Sequence, residues 1–296
     1  MIASMGRCLA FTVVVLCACN AQLHLGDQTN GPSPDGPVAT DSAIDSSMPD
    51  APAMLGPWGT PQLIPGASSG ALNEDDGTPN QALTELYLSI DNGATNKDLF
   101  WMTRATATDP WGPKQLLAQS NGNDESPRLS YDELTLYYGR SGDIYQMTRA
   151  TTTSPWGAPS IVAAVNVTGS SVYEKWFASC DNNYYMEVRD SDLYEGTLGN
   201  PPTKVTSLST TGSEISTWLS KDCKTVMFAR TPVNGQEDIY MSTRTSVADP
   251  WPAATALTDF NTTTSNEEDA WMSLDMKTFV FASNAGGTKD LYLSTR

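Results

Sequence analysis

The stretch Asp143-Ile144-Tyr145-Gln146-Met147-Thr148-Arg149, with Pro155-Trp156 after it, decides the fold because it recurs. One copy is Asp98-Leu99-Phe100-Trp101-Met102-Thr103-Arg104 with Pro110-Trp111, and another is Asp238-Ile239-Tyr240-Met241-Ser242-Thr243-Arg244 with Pro250-Trp251. Asp290-Leu291-Tyr292-Leu293-Ser294-Thr295-Arg296 and a degenerate Asp192-Leu193-Tyr194 complete the set. The opening aspartates, at 98, 143, 192, 238 and 290, are spaced by 45, 49, 46 and 52 residues. Periods of that size mark a propeller blade or a helical array unit.

The local pattern separates the two. Leu134-Thr135-Leu136-Tyr137-Tyr138, Thr225-Val226-Met227-Phe228 and Thr278-Phe279-Val280-Phe281 are β-branched and aromatic runs of strand length. Turn residues such as Gly139-Arg140-Ser141-Gly142 and Asn284-Ala285-Gly286-Gly287 punctuate them, and no sustained 3.6-residue apolar period follows the first segment. The fold is all-β. Each unit reads as four strands: in the second, Ser126 to Ser130, Leu134 to Tyr138, Asp143 to Arg149, and an outer strand starting at Trp156. A Ser-x-Asp signature marks the inner hairpin at Ser130/Asp132, Ser179/Asp181, Ser220/Asp222 and Ser273/Asp275; the first unit lacks it. A short aspartate there bonds backbone amides two residues on.

Pro57-Trp58-Gly59 reads as the start of an outer strand with no Asp-Leu-Tyr strand before it, and Arg296 closes a third strand with no Pro-Trp after it. Joining the two completes five blades, so the expected fold is a five-bladed β-propeller of four-stranded blades, closed by an N-terminal outer strand. Closure removes the open sheet edges.

These units resemble the WD40-like propeller repeat of bacterial envelope proteins, of the kind found in the propeller of the Tol system. Ser126-Pro127-Arg128-Leu129-Ser130-Tyr131-Asp132 matches that family's inner Ser-Pro-x-x-Ser-x-Asp-Gly, with Glu133 in place of its glycine. The resemblance spans roughly residues 57 to 296. It implies a scaffold and leaves the partner open, because such repeats serve many unrelated functions.

Residues 1–18 read as a lipoprotein signal peptide: Arg7 supplies the positive charge, and the apolar run around Leu9 to Leu16 is too short to span a bilayer. Leu16-Cys17-Ala18-Cys19 resembles a lipobox and puts the lipid anchor on Cys19; ordinary signal cleavage is the alternative. Asn20, not an aspartate, follows it, which in that family favours the outer membrane. The expected location is therefore the bacterial outer membrane, lipid-anchored, on its periplasmic or cell-surface face, with the membrane touched through the anchor only. Residues 19–56 are rich in Pro, Ser, Asp, Gly and Ala, and read as an acidic tether unable to bury enough apolar surface to order itself.

Acidic residues outnumber basic ones 34 to 17, a balance that disfavours nucleic acid as a partner. The one histidine, His24, lies in the tether, so Ser-His-Asp and Cys-His catalysis and His-ligated zinc are excluded in the folded domain. No catalytic residue is assigned. Each Pro-Trp pair holds a strict register against a Thr-Arg sequence, which reads as packing between blades, and the arginines at 104, 149, 244 and 296 read as lying over an indole or pairing with an acid. Trp218, Trp271, Arg128 and Phe177 share one inner-strand position that faces either the channel or the sheet beneath. Cys180 and Cys223, in adjacent inner turns of an exported chain, are expected to form a disulfide.

Carboxylates precede each inner strand, and repeat symmetry would gather Asp76, Glu125, Glu174, Glu214 and Glu268 at one mouth of the channel. Such a mouth could take a basic or sugar ligand, or a hard cation such as Ca²⁺; no other cofactor is implied. The function that follows is a lipid-anchored, monomeric binding or scaffolding module whose partner is a protein or glycan of the cell envelope. The alternative is a glycoside hydrolase or lyase working with a carboxylate pair in the channel.

Overall fold

A computed structural model describes residues 55–91, 96–166, 174–180, 183–231 and 235–296. The signal segment, Cys19, nearly all of the tether and Asp181 lie outside the described residues. No helix among the described residues is long and apolar enough to cross a membrane.

Five four-stranded antiparallel sheets form the ring. The first blade is β2 (Asn73–Pro79), β3 (Glu85–Asp91), β4 (Lys97–Thr103) and β5 (Gln115–Ala118). The second is β6 (Asp124–Leu129), β7 (Thr135–Arg140), β8 (Asp143–Thr148) and β9 (Ser160–Ile161). The third is β10 (Glu174–Ser179), β11 (Tyr184–Arg189), β12 (Asp192–Thr197) and β13 (Thr203–Lys204). The fourth is β14 (Ser213–Leu219), β15 (Thr225–Thr231), β16 (Asp238–Thr243) and β17 (Thr255–Ala256). The fifth joins β18 (Glu267–Met272), β19 (Thr278–Ser283) and β20 (Asp290–Thr295) to β1 (Gln62–Leu63) from the other end of the domain.

The closure expected from the sequence is present. Gln62 pairs with Leu293 and Leu63 with Tyr292. Gly59 N–H donates to Thr295 O at 2.8 Å, as Gly112 does to Thr103 O and Gly157 to Thr148 O at 2.8 Å in the first and second blades. The outer strands are shorter than the sequence suggested: β9 begins four residues past Trp156 and pairs at only two positions. Prolines 155 and 159 explain the delay, since neither can donate to a ladder.

The inner hairpins show why Ser-x-Asp recurs. Ser130, Ser220 and Ser273 donate to Asp132, Asp222 and Asp275 at 2.6 Å and accept from the backbone of Thr135, Thr225 and Thr278 at 2.9 Å. Asn80 does this work in the first blade, where its Oδ1 accepts from Thr84 N at 2.8 Å and Glu85 N at 3.0 Å. Glu133, which replaces the family glycine, sits at φ 60°, so the turn itself demands the left-handed conformation that glycine adopts without strain.

Apolar contact lies between blades. Tyr87 and Leu99 of the first blade pack with Leu136, Tyr138 and Met147 of the second. The arginines stack on the tryptophans: Arg104 over Trp111 at 4.1 Å, Arg149 over Trp156 at 4.5 Å, Arg244 over Trp251 at 4.0 Å, and Arg296 over Trp58 at 4.2 Å. Trp156 Nε1 reaches back to Tyr87 of the preceding blade, and Trp251 Nε1 to Glu195. These indoles are inter-blade wedges. A disulfide joins Cys180 and Cys223, whose Cα atoms are 5.3 Å apart.

Candidate functional site at the axial mouth

All five inner strands start at the same mouth, and an acid is the first or second residue of each: Glu74, Asp124, Glu174, Glu214 and Glu267. Each is buried. Asp124 accepts from Arg140 at 2.6 and 2.9 Å, Glu214 accepts from Arg230 at 2.9 Å, Glu74 pairs with Lys114 at 2.6 Å, and Glu174 lies 3.8 Å from Arg189. Three of them also hold the loop that enters their blade, accepting backbone N–H bonds from Ser69, Thr210 and Thr262 at 3.2, 3.1 and 2.9 Å. This layer anchors inter-blade loops.

The five carboxylates that repeat symmetry seemed to gather are therefore not equivalent. Glu174 and Glu214 belong to the anchoring layer. Glu125 and Glu268 stand one residue further, opposite Gly139 and Ala282. Asp76 lies beyond them in a bulge, where the register shifts between Asp75 and Thr78. A one-residue difference in a strand turns a side chain to the other face, so spacing counted along the sequence cannot place these acids around one opening.

The bulge builds what the sequence did not reveal. Asp76, Ser126, Ser216 and Asp269 have φ of 58°, 58°, 47° and 58°. Left-handed backbone at non-glycine residues costs on the order of 1 kcal/mol each. The bonds it makes run around the axis. Ser126 Oγ donates to Asp76 Oδ1 at 3.0 Å, Asp76 N–H donates to Asp269 Oδ2 at 3.2 Å, and Asp269 N–H donates to Ser216 Oγ at 2.8 Å. Four blades are thereby linked in sequence, from the second through the first and fifth to the fourth.

Cations surround this chain of bonds. Lys97 Nζ lies 2.5 Å from Asp75, 3.7 Å from Glu125 and 3.9 Å from Asp76. Lys175 pairs with Glu125 at 2.7 Å, Lys289 contacts Glu268 directly and stands 3.9 Å from Asp75, and Arg128 Nη2 is 3.7 Å from Asp269. Five carboxyl groups, at 75, 76, 125, 268 and 269, thus meet four cations. With all five ionised, one negative charge is in excess. Burial and the neighbouring charge of Asp76 push the Asp269 carboxyl well above the usual range, with Arg128 offsetting only part. Burial also raises Asp76, but Lys97, Lys175 and the hydrogen bond from Asp269 outweigh it and hold that group well below the usual range. Asp75 is pushed up to about 6 by burial and by Asp76, against Lys97 and Lys289.

This geometry does not fit Ca²⁺, which takes six to eight oxygen ligands. Ammonium groups occupy the space between the carboxylates, and among the described residues no three His, Cys, Asp or Glu side chains are grouped to hold a metal ion.

Arg128, Trp218 and Trp271 face the channel. With Thr78 they line a cavity of about 20 Å³ below the charged layer, room for about one water. Phe177 instead packs against Tyr137 and Tyr185, with ring centroids 4.6 and 5.1 Å away.

Fold and mouth together define the class: this is a five-bladed β-propeller with a buried, charge-compensated axis. No protein-family model matches the chain, and no curated protein matches it in sequence. Among solved structures it is similar to an α-L-arabinofuranosidase of Podospora anserina in complex with cellotriose, at 16% identity and TM-score 0.57, over 81% of this chain and 96% of that one. It is also similar to a thermostable family-43 glycoside hydrolase, at 11% identity and TM-score 0.54, over 79% and 91%. TolB from Acinetobacter baumannii aligns at 14% identity and TM-score 0.47, over 74% of this chain and 54% of that one. Likeness at these identities concerns the fold alone.

Proposed function

We propose that the chain is a non-catalytic binding or scaffolding module of the bacterial cell envelope, lipid-anchored through Cys19, whose propeller engages a protein or glycan. The observation that carries the non-catalytic part is the state of the axial acids. Asp75, Asp76, Glu125, Glu268 and Asp269 are only 1–4% exposed, and each has a lysine or arginine of the chain beside it. A carboxylate pair that works on a glycosidic bond must meet the sugar from both sides, with about 5–9.5 Å between the two groups. These acids instead link blades to one another. The anchor rests on the Leu16-Cys17-Ala18-Cys19 motif.

Crosslinking in intact cells, followed by recovery of the chain from envelope fractions, tests the reading. A specific envelope protein or glycan captured by the wild type, and membrane retention lost in Cys19→Ser, are expected. Membrane retention and fatty-acid labelling that survive in Cys19→Ser would remove the anchor, and recovery of the chain without a specific partner would remove the binding role.

A second reading, a glycoside hydrolase or lyase, is favoured by one observation. The Asp269 carboxyl is raised well above the usual range beside Asp76, which is held well below it, an acid and a base set apart by their surroundings. The two readings differ in what Asp76 does. It either joins blades or touches substrate.

A further inference from the structure

The inter-blade arginines are not all in the same state. At the seam between the first and second blades, Arg149 gives two parallel hydrogen bonds to Glu85 of the preceding blade, at 3.0 and 2.9 Å, while stacked on Trp156. Between the third and fourth blades, Arg244 lies over Trp251, 3.5 Å from Glu195 and 2.7 Å from the Tyr184 hydroxyl. In both, the preceding blade supplies a carboxylate to the outer side of the guanidinium.

The seam between the fifth and first blades repeats the frame and omits the acid. So does that between the fourth and fifth, where Arg296 lies over Trp58 and Thr225 stands in the place of Glu85. Arg104 stacks on Trp111 at 4.1 Å and donates to the backbone oxygens of Leu83 at 2.6 Å and Asp109 at 3.3 Å. Thr278 stands where Glu85 stands in the first blade, as its pairing with Thr295 and that of Glu85 with Thr103 establish. Leu293 stands where Glu195 stands in the third, opposite Val280 as Glu195 is opposite Met186. Among the described residues no carboxylate lies within ion-pair distance of Arg104, and the nearby Asp109 carboxylate is turned to the Thr106 hydroxyl at 2.7 Å. Beside Arg104 opens a groove of about 640 Å³, with Leu63, Pro65, Leu83, Leu293 and Thr278 in its walls. Leu63 is 48% exposed.

We propose that this groove binds a partner protein through an aspartate or glutamate side chain, which takes the place on Arg104 that Glu85 takes on Arg149. The occupant's chemistry is read from the two filled seams, where a carboxylate on a strand meets the arginine over its tryptophan. Two N–H donors in a fixed plane suit a carboxylate in a bidentate pose, and the indole beneath keeps the guanidinium from turning. The apolar walls suit aliphatic residues beside the acid. This inference is independent of the axial mouth, so a catalytic mouth would leave it standing.

Titrating the full chain with the capped peptide acetyl-Leu-Glu-Leu-amide, followed by NMR of the Trp111 indole N–H and the Arg104 Nε–H, tests it. The expected result is a saturable shift of both signals, at least tenfold weaker with acetyl-Leu-Gln-Leu-amide and lost in Arg104→Gln. A second variant, Thr278→Glu, should fill the site from within: binding disappears while the thermal transition stays cooperative and moves no lower than that of the wild type. Equal binding of the two peptides, binding that survives in either variant, or no shift at millimolar peptide would each overturn the proposal.

Discussion

The backbone N–H of Asp76 donates to Asp269 Oδ2 at 3.2 Å, and that bond crosses from the first blade to the fifth. The fifth blade is also the one that β1 completes at the rim, so the closing blade is fastened at two radii. At the axis the fastening is ionic; at the rim it is a strand pair with Arg296 over Trp58.

Asp269 makes the axial fastening sensitive to pH. Its carboxyl is raised above the ordinary aspartate value of 3.8, so its contribution to stability is complete below that value and is lost as pH rises through the raised one. Asp76, held below 3.8, contributes in the opposite sense: its share is present above 3.8 and is lost as pH falls through the lowered value. Asp269→Asn keeps the neutral form at every pH. Urea denaturation of both proteins from pH 5 to pH 9 should give a flatter profile for the variant and a stability difference that grows in its favour as pH rises. Parallel profiles would show that Asp269 keeps no proton in the fold.

Trp58 tests the outer fastening. Its ring meets Phe260 at 5.4 Å, Phe279 at 5.7 Å and the guanidinium of Arg296 at 4.2 Å. Trp58→Ala should cost about 3 kcal/mol, the low end for losing a large aromatic, because the ring is only half-buried. Deleting residues 57 to 66 should cost more and broaden the transition, since β20 then loses its partner, whereas deleting residues 20 to 50 should leave the urea midpoint unchanged. Equal midpoints for the two deletions would contradict the closure.

Glu187 gives a second titration, beside Glu174 of the anchoring layer, with which it shares Arg189. It is fully buried, with Oε1 2.6 Å from Arg189 Nε and Oε2 without a hydrogen-bond partner among the described residues. Burial pushes it up to about 7, against the charge of and hydrogen bond from Arg189. The stability tied to its proton is complete below the ordinary value of 4.5 and lost as pH rises through about 7. Glu187→Gln should therefore match the wild type near pH 4.5 and exceed it by a few kcal/mol near pH 8, each pKa unit being worth about 1.4 kcal/mol. A variant less stable than the wild type at pH 8 would show that the ion pair with Arg189 outweighs the burial of the charge.

The fold could be read almost in full because the repeat carries redundant signals. Asp-Leu/Ile-Tyr fixes the third strand, Ser-x-Asp the hairpin, Pro-Trp the wedge, and the two unmatched pieces at Trp58 and Arg296 the closure. Asn80 escaped because it bonds the same amides with a different side chain. The mouth was misread for a more basic reason. Its acids occur in runs such as Asp75-Asp76, Asp124-Glu125 and Glu267-Glu268-Asp269, and the bulge decides which member faces which way. Of the lysines that neutralise the cluster, Lys97 and Lys289 stand immediately before the opening aspartate of a third strand, in the first and fifth blades. Lys175 lies on the inner strand of the third blade, so the repeat does not mark the three together as partners of these acids. The missing acid beside Arg104 is visible only once the strands are in register, where Thr278 stands with Thr135 and Thr225 and Glu85 is the exception.

Calcium provides a direct check on the neutralised mouth. A cation that binds the native state alone raises its melting temperature by mass action. With Lys97, Lys175 and Lys289 already among the carboxylates, millimolar Ca²⁺ and chelator should give the same melting curve. A Ca²⁺-dependent rise that disappears in Glu125→Gln/Glu268→Gln would place a metal where the lysines are.

The measurement that bears most directly on the non-catalytic account is sugar release by the purified chain. Incubate wild type and Asp76→Asn with an aryl α-L-arabinofuranoside and with arabinoxylan, and quantify product by chromatography, checking by circular dichroism that both proteins are folded. The account predicts no release above the no-protein blank from either protein, together with a lower melting temperature for Asp76→Asn, whose lost charge leaves Lys97 and Lys175 less compensated. Release by the wild type that vanishes in folded Asp76→Asn would contradict it and make the axial mouth an active site.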